Sequence, residues 1–225
     1  MPTFRCQACA RDFSVKAETL ARYPGWQPKR CFDCKAGASS KPSHEENLPL
    51  ASVLAKHSAG PLDGVFTDGA AEPNPGPGGW GAAYVAGDKI LAQECGHEPH
   101  TTNNRMELTA LIRGCALVPP GVKATIYTDS QLCVNTCTLW AKKWEAQGWK
   151  RNNKGAKGEV KNLDLVKELY EVLKRRPELE LKWIRAHSGN KWNEYADALA
   201  TAYRRGEEVA PFGVGYRTLP GVPRV

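Results

Sequence analysis

Two aspartates stand in nearly the same local sequence, Asp68 in "VFTDGA" and Asp129 in "IYTDSQ". In each stretch a short apolar segment, typical of a β-strand, runs into the carboxylate and then into a turn-forming residue. If the two strands are neighbours, their carboxylates lie close together at one edge of the sheet, where open α/β sheets place their sites. Such a pair would repel, and Mg²⁺, which prefers carboxylate oxygens, removes the repulsion. The pattern therefore predicts a metal site.

Two further carboxylates are candidates for the same site. Glu107 follows "TTNNRM" in the first turn of a predicted helix, and the apolar stripe of that helix begins directly after it. Asp197 lies among the apolar residues of "YADALA", ten residues after His187. A single acidic residue is most often a solvated surface group. Four of them beside predicted buried elements indicate a shared role instead.

The elements that position these residues form the main predicted domain, residues 62–205. Apolar and alternating segments predict strands at "DGVFTDGAA", "WGAAYVAG", "KILAQECG", "VKATIYTDS" and "LELKWIRAH". A helical period predicts a helix over residues 103–117, short helices through Trp144, and helices at "NLDLVKELYEVLKRR" and "NEYADALATAYRR". This order of strands and helices predicts an α/β fold, a mixed sheet with helices packed on its faces.

Residues 1–37 contain two CxxC pairs and are predicted to form a separate module. The pairs are 21 residues apart, close to the roughly 15–20 residues usual in four-cysteine zinc sites. A structural Zn²⁺ would stabilise a module too small to bury much apolar area. A redox role is the alternative, but one CxxC pair suffices for that chemistry and no βαβ pattern surrounds these. The predicted zinc ligands are Cys6, Cys9, Cys31 and Cys34.

Two other regions differ in composition from the main domain. Residues 38–61 are predicted as a polar linker with one helical turn at "ASVLAKH", and residues 206–225 as a tail that Pro and Gly interrupt. The tail therefore cannot be one regular element. The remaining cysteines are interpreted as small apolar side chains in a reducing compartment; they are Cys95, Cys115, Cys133 and Cys137.

Composition favours a cytoplasmic protein with a polyanionic partner. The chain is 41% hydrophobic with a mean hydropathy of −0.49. It has no run of the roughly 18 apolar residues that span a membrane, and "MPTFRCQACARDF" lacks the apolar core of a secretory signal. The net charge is +7; residues 1–60 carry +4, residues 140–161 carry +5, and the rest of the chain carries −2. This concentration of positive charge favours binding to nucleic acid.

The segment 140–161, "WAKKWEAQGWKRNNKGAKGEVK", interleaves three tryptophans with basic residues. A helix would place Trp140 and Trp144 on one face, where packing in the core is the ordinary role. Basic residues among aromatic rings are also what a nucleic-acid groove needs. We therefore expect contacts with nucleic acid from Trp140, Trp144, Lys150, Arg151, Lys154 and Lys157.

These motifs resemble the type 1 ribonuclease H family. The similar stretches follow in the family's order over about residues 62–203; they are "FTDGAAEPNPGPGGWGA", "TTNNRMELTALI", "YTDSQ", "WAKKWEAQGWK", "VKNLDL" and "WIRAHSGNKWNEYADALA". The resemblance implies a five-stranded mixed sheet flanked by helices. It also implies an enzyme that hydrolyses the RNA strand of RNA–DNA hybrids, largely without sequence preference, to 5′-phosphate and 3′-hydroxyl products.

The resemblance further assigns catalytic roles. The family's metal-binding carboxylates fall on Asp68, Glu107, Asp129 and Asp197, and its mobile-loop histidine falls on His187. Two Mg²⁺ ions about 4 Å apart, with Mn²⁺ as an alternative ion, would clamp the scissile phosphate. Asp68 is our choice for the carboxylate that bridges both ions. His187 would assist proton transfer and product release.

Contacts with the substrate follow from the same resemblance. Asn74, Asn103, Asn104 and Gln131 match positions that contact the hybrid, and side-chain amides can recognise the RNA 2′-hydroxyl. Thr102 and Arg105 would hold a DNA-strand phosphate beside a helix N-terminus. Capping of that helix is a second role open to "TTNN". The segment 140–161 corresponds to the family's basic protrusion.

The stretch from Arg5 to Ala36 resembles a small zinc-ribbon-like module of bacterial proteins. Three roles are open for it: to bind nucleic acid, to bind a protein, or to add stability. Nucleic acid is favoured, and the residues expected to contact it are Arg5, Arg11, Arg22, Lys29 and Arg30.

Two other functions compete with ribonuclease H activity. A catalytically silent hybrid-binding protein is expected to lack one of the four carboxylates, and all four are present. A DNA nuclease of the same fold is disfavoured, because "TTNNRMEL" and the tryptophan-rich basic segment resemble ribonuclease H specifically. We therefore expect an active, monomeric endoribonuclease.

Overall fold

A computed structural model describes residues 2–7, 10–22, 27–29, 31, 48–150 and 158–213. The chain divides into two compact units, Met1–Glu46 and Asn47–Val225. The division falls within the segment 38–61 that the sequence predicts as a linker. No helix in the described part of the chain is long and apolar enough to cross a membrane.

The N-terminal unit contains a small antiparallel hairpin and a short helix. Its strands are β1 (Thr3–Arg5) and β2 (Asp12–Ser14), and its helix is α1 (Ala17–Arg22). Cys6 directly follows β1 and is 2% exposed, and Cys31 is 5% exposed. Cys9 and Cys34 lie outside the described residues, so the four-cysteine zinc site remains a prediction.

The second unit is built on a mixed sheet. Its strands are β3 (Gly64–Ala71), β4 (Gly76–Ala86), β5 (Lys89–Thr101), β6 (Ala124–Thr128), β7 (Leu179–Trp183) and β8 (Phe212–Gly213), in the spatial order β7-β6-β3-β4-β5-β8. β3, β6 and β7 are parallel, and the other pairs are antiparallel. The five longer strands confirm the predicted sheet. β8 is an addition, in which the tail pairs with the edge of β5 through Phe212 and Gly213.

Helices cover both faces of this sheet. They are α2 (Leu50–Lys56), α3 (Asn103–Leu117), α4 (Gln131–Asn135), a π-helical turn (Thr136–Trp140), α5 (Ala141–Ala146), α6 (Leu163–Arg175), α7 (Lys191–Thr201) and a 3₁₀ turn (Ala202–Arg205). The predicted helices are confirmed, and α3 has the predicted bounds. α2 extends the single helical turn that the sequence predicts at "ASVLAKH".

The hydrophobic core forms two main clusters, one on each face of the sheet, because successive side chains of a strand point to opposite faces. Val65 joins one buried cluster with Leu111 of α3 and Leu169 of α6. Its neighbour Phe66 joins a second cluster with Leu199 of α7 and Val53 of α2. The sheet is therefore packed on both faces.

Three of the cysteines confirm their interpretation as apolar core residues. Cys115, Cys133 and Cys137 are buried in the cluster under α3 and α6. Burial raises the pKa of each of these thiols to about 12. A thiol with so high a pKa is a poor nucleophile at neutral pH.

Candidate active site

The register of β3 and β6 brings Asp68 and Asp129 together. The two strands run parallel and their last paired residues are Thr67 and Thr128, so the aspartates follow at equivalent positions. This confirms the prediction that the two strands are neighbours. Asp68 does not end its strand as predicted, because β3 continues against β4 as far as Ala71. Backbone pairing therefore holds Asp68, which is 7% exposed, inside the sheet.

Glu107 reaches the same point from α3. It is the fifth residue of this helix, so it lies in the second turn and not in the predicted first turn. The helix lies close to β3 because residue 69 is glycine; a Cβ there would lie 2.2 Å from the backbone nitrogen of Glu107. Thr128 Oγ1 donates to Glu107 Oε2 over 3.5 Å, which directs the carboxylate toward the ends of β3 and β6.

Asp197 is supplied by α7, which packs against β4 where that strand has glycines. A Cβ at Gly79 would lie 2.2 Å from the carbonyl oxygen of Ala200, and one at Gly81 would lie 2.4 Å from Leu199 Cβ. Side chains at these two positions would push the helix away from the sheet. In the close position, the charge of Asp197 acts on Asp68 and helps to raise the pKa of its carboxyl.

These approaches gather the predicted carboxylates at one place. Carboxylate oxygens of Asp68, Glu107 and Asp129 all lie within 4.8 Å of one another, and Asp197 is near enough for its charge to act on Asp68. Burial is the main cause that raises the pKa of Asp68 well above its ordinary range, followed by the charges of Asp129, Glu107 and Asp197. Asp68 thus lies among three other carboxylates whose charges all disfavour its ionised form.

The pKa values of the neighbouring carboxyls are raised as well. Burial and then the charge of Asp129 raise the pKa of Glu107 well above its ordinary range, and the Thr128 hydrogen bond opposes this. Burial also raises the pKa of Asp129, while His187 and a hydrogen bond from Asn193 oppose the rise. Closely placed buried carboxylates are costly to ionise without a cation.

The donor set fits divalent cations. Carboxylate oxygens suit a hard ion such as Mg²⁺, and bound cations would offset the repulsion that raises these pKa values. A second group, formed by His187, Glu194 and Asp197, also has ligand atoms within 4.8 Å of one another. It contains Asp197, whose charge acts on Asp68 and Asp129, so the two groups are adjacent.

His187 lies in the loop between β7 and α7, with 51% of its side chain exposed. Its backbone has a φ of +46°, in the left-handed region. Its Nδ1 lies 3.9 Å from Oε2 of the buried Glu194, whose Oε1 accepts the N–H of Gly189 at 3.1 Å. The effect of His187 on the pKa of Asp129 places the imidazole within electrostatic reach of the carboxylates.

Two residues near the site were missed by the sequence analysis. Asn193 is 2% exposed and hydrogen-bonds to Asp129, and Glu194 accepts from the His187 loop. They precede Asp197 by four and three residues on α7, which is the spacing of one helix face. That spacing was the signal in the sequence that could have found them.

Comparisons with known proteins agree with this geometry. The family model for RNase H matches residues 63–205, more than half of the chain. The Ribonuclease H of Anaplasma marginale is 46% identical over 136 residues, which cover 60% of this chain and 86% of that protein. The Ribonuclease HI of Caulobacter vibrioides is 44% identical over 136 residues, 60% of this chain and 88% of that protein.

This chain belongs to the ribonuclease H family. It is therefore an endoribonuclease that cleaves the RNA strand of RNA–DNA hybrids. Among solved structures, LC9-RNase H1, a type 1 RNase H with the type 2 active-site motif, superposes with a TM-score of 0.53 and 31% identity, covering 67% of this chain and 76% of that one. The RNase H domain of PFV has a TM-score of 0.52 at 23% identity, covering 65% of this chain and 96% of that one, and it shows the shared fold alone.

In this ribonuclease H, the predicted substrate residues Asn74 and Asn103 lie where the end of β3 contacts the start of α3. Asn103 Oδ1 accepts the N–H of Ala71 at 2.6 Å, and Asn74 Oδ1 accepts the N–H of Asn103 at 3.3 Å. Asn104 is the exposed next residue of α3. The two bonds hold the side chains of Asn74 and Asn103 by their oxygens, a few residues from Asp68 and Glu107.

Thr102, Arg105 and Gln131 have partners within the protein. Thr102 Oγ1 accepts the N–H of Arg105 at 3.4 Å as the N-cap of α3, so the capping role is confirmed. The guanidinium of Arg105 donates to both carboxylate oxygens of Asp164 on α6, at 3.2 and 3.1 Å. Gln131 Nε2 donates to Asn135 at 3.1 Å. A phosphate at Arg105 would therefore compete with Asp164.

The tryptophans of the basic protrusion line a small cavity. Trp140 and Trp144 have ring centroids 5.9 Å apart, and a space of about 100 Å³ lies between them, Asn104 and Val166. Trp144 also packs against the core cluster under α3, as its spacing predicts. Lys150 is exposed and forms a β-bridge with Glu159, whereas Arg151, Lys154 and Lys157 lie outside the described residues.

Proposed function

We propose that this ribonuclease H acts through two Mg²⁺ ions bound among Asp68, Glu107, Asp129 and Asp197, with Asp68 bridging both. The central position of Asp68 supports this assignment, because its carboxylate lies within 4.8 Å of those of Glu107 and Asp129 and also feels the charge of Asp197. When bound, the ions activate a water molecule for attack on the scissile phosphate and stabilise the leaving 3′-oxygen. Mn²⁺ can take the same oxygen ligands.

The residues of the chain hold and orient these groups. Asn193 and Thr128 hold the carboxylates of Asp129 and Glu107 by hydrogen bonds, so few rearrangements are needed when cations bind. His187 stands beside Asp129 on an exposed loop, where its imidazole can take a proton and assist release of the product. The arrangement supports a helpful role for His187 beside essential roles for the carboxylates.

Recognition of the hybrid rests on two surfaces near this site. The exposed amides of Asn74, Asn103, Asn104 and Gln131 are suited to the 2′-hydroxyl of RNA, while Thr102 and Arg105 are suited to a phosphate of the DNA strand. The basic protrusion, with Lys150, Arg151, Lys154, Lys157 and the two tryptophans, adds affinity. Contacts of this kind go to the backbone, so cleavage is expected to be nearly independent of sequence.

The N-terminal unit is proposed to bind Zn²⁺ through Cys6, Cys9, Cys31 and Cys34 and to add a nucleic-acid contact. The burial of Cys6 and Cys31 supports the first part, and the basic residues of this unit support the second. A monomer is part of the same proposal, since one chain supplies all four carboxylates and His187. We also propose that the protein acts in the cytoplasm.

The experiment that tests this function uses an RNA–DNA hybrid with labelled RNA, beside single-stranded RNA, RNA duplex and DNA duplex. Wild type and Asp68→Asn are assayed with Mg²⁺ and with EDTA. Cleavage of the RNA in the hybrid alone, lost with EDTA or with the substitution, is the expected result. Tight hybrid binding without cleavage would instead identify a silent binding protein, and cleavage of the DNA duplex would identify a DNA nuclease.

A further inference from the structure

Residues 48–60, which we call the brace, precede the segment that matches the ribonuclease H family, residues 63–205. They contain α2 and the four residues after it, in the part of the chain predicted as a linker. Val53 of α2 is 3% exposed and packs in one core cluster with Trp192 and Tyr195 of α7. The brace is therefore anchored to the helix that carries Asp197.

Beyond α2, the brace runs along the loop that carries His187. The carbonyl of Ala59 accepts the backbone N–H of Lys191 at 2.8 Å, and Ala59 forms a parallel β-bridge with Asn190. Gly60 has a φ of +99°, and a Cβ on it would lie 2.5 Å from Asn190 Oδ1. The brace thus contacts residues three and four positions after His187.

The loop itself makes a small number of bonds in the described structure. Asn190 Nδ2 donates to Ser188 Oγ at 2.6 Å, and Ser188 Oγ donates to the carbonyl of Arg185 at 2.7 Å. His187 is exposed and has a left-handed backbone, a conformation that persists only where the surroundings hold it. The bond from Lys191 to Ala59 fixes the end of this loop to a segment that is itself anchored in the core.

We propose that the brace is a positioning element for catalysis: by fixing Asn190 and Lys191 it holds His187 in its working position. The proposal rests on the proposed role of His187. It predicts that weakening the brace lowers the turnover rate and leaves hybrid binding unchanged, because the contacts that anchor the brace go to the end of the His187 loop and to core residues of α7. Loops that order a catalytic group commonly act on kcat in this way.

The test removes one hydrogen bond in the full-length protein. Lys191 is the first residue of α7, where proline is tolerated in helices, so Lys191→Pro deletes the N–H that Ala59 accepts. Lys191→Ala is the matched control, since it keeps this N–H and loses the same ion pair to Asp88. A second pair is Gly60→Ala with Gly121→Ala as control; Gly121 is also left-handed, but a Cβ there meets nothing within 4 Å.

We expect kcat of Lys191→Pro to be about three- to tenfold below that of Lys191→Ala, as for loss of one hydrogen bond, with equal KM. The ¹⁵N resonances of the His187 imidazole should shift or broaden in Lys191→Pro and not in Lys191→Ala. Gly60→Ala should behave like Lys191→Pro. Equal kcat and equal His187 spectra in the matched variants would overturn the proposal.

A double-mutant cycle separates this proposal from the role of His187 itself. In a His187→Ala background, Lys191→Pro and Lys191→Ala should have the same kcat, since the brace would have no imidazole to position. A persistent difference in that background would show that the brace acts elsewhere and overturn the proposal. If His187→Ala alone leaves kcat unchanged, the proposed role of His187 is wrong. The brace proposal, which depends on that role, is then wrong as well.

Discussion

The space beside Gly69 is filled by the backbone of Glu107. A Cβ on residue 69 would lie 2.2 Å from the nitrogen of Glu107 and 2.2 Å from the carbonyl carbon of Met106. One missing methyl group therefore lets α3 bring a carboxylate onto the strand that carries Asp68. The distance between these two carboxylates depends on a residue that has no side chain of its own.

Gly69→Ala should weaken Mg²⁺ binding and cleavage together, since α3 must move away from β3 to admit the methyl group. We expect kcat to fall by at least about tenfold, given that misplacement by about 1 Å can cost on the order of 10²-fold. Titration with Mg²⁺ by calorimetry and hybrid cleavage measure the two effects. Gly96→Ala on β5 is the control, because the three atoms nearest to its Cβ all belong to the side chain of Trp80. Equal losses of metal affinity in both variants would contradict the explanation.

Asp68→Asn should stabilise the metal-free protein at neutral pH while it abolishes cleavage. The pKa values of Asp68 and Glu107 are raised in the fold, mainly by burial. Their contribution to stability is therefore fully present below the ordinary carboxyl pKa and is lost as pH rises through the raised values. Removing one charge should gain roughly 1–2 kcal/mol near pH 7, and the gain should vanish in acid.

Urea unfolding in EDTA at neutral and acidic pH measures this difference. Asp164→Asn is the control with the opposite sign, because the Arg105 hydrogen bond lowers the pKa of the Asp164 carboxyl. That variant should lose a little stability at neutral pH, limited by the exposure of the pair. Added Mg²⁺ should stabilise wild type more than Asp68→Asn, since ligands stabilise the state they bind. A destabilised Asp68→Asn in EDTA at neutral pH would refute the account.

Replacing Lys150, Arg151, Lys154 and Lys157 by alanine should weaken hybrid binding in a salt-dependent way. Each lost phosphate contact reduces the slope of log K against log salt by about 0.9. Affinity should therefore fall at low salt and approach that of wild type at high salt, with kcat little changed. Fluorescence anisotropy over a salt series measures this, and Lys89→Ala with Lys123→Ala, two exposed residues elsewhere, serves as control. Wild-type affinity of the quadruple variant at low salt would rule out the basic protrusion as a binding surface.

Cys31→Ser should release zinc from the N-terminal unit. We expect one equivalent of Zn²⁺ per wild-type chain by elemental analysis, and a large loss in the variant because a four-thiolate site needs every ligand. Cys95→Ser, outside this unit, should keep the full equivalent. Hybrid affinity measured on the same samples shows whether the unit contacts nucleic acid. Absence of zinc from the wild-type protein, purified without chelators, would disprove the site.

Much of the fold and the carboxylate set could be predicted because both depend on local patterns. The apolar period of residues 103–117 specified α3 with its observed bounds, and two strand-ending aspartates pointed to neighbouring strands. One error concerns the position of a residue along its own helix, and the other concerns a strand whose length a partner distant in sequence decides. Glu107 lies in the second helical turn because Thr102 is the N-cap, and Asp68 lies inside its strand because β4 pairs beyond it.

The sequence by itself determined the identity of the chemistry: four carboxylates, a loop histidine and the segments that carry them, because residue type and periodicity are local properties. Only the tertiary structure decided how those groups meet. Gly69 and Gly81 permit two helices to approach one sheet. Asp164 accepts hydrogen bonds from the guanidinium of Arg105, and residues 57–60 run along the His187 loop. Each of these contacts joins segments that are distant along the chain. Close packing between such segments depends on shape in three dimensions, which no local pattern of residues specifies.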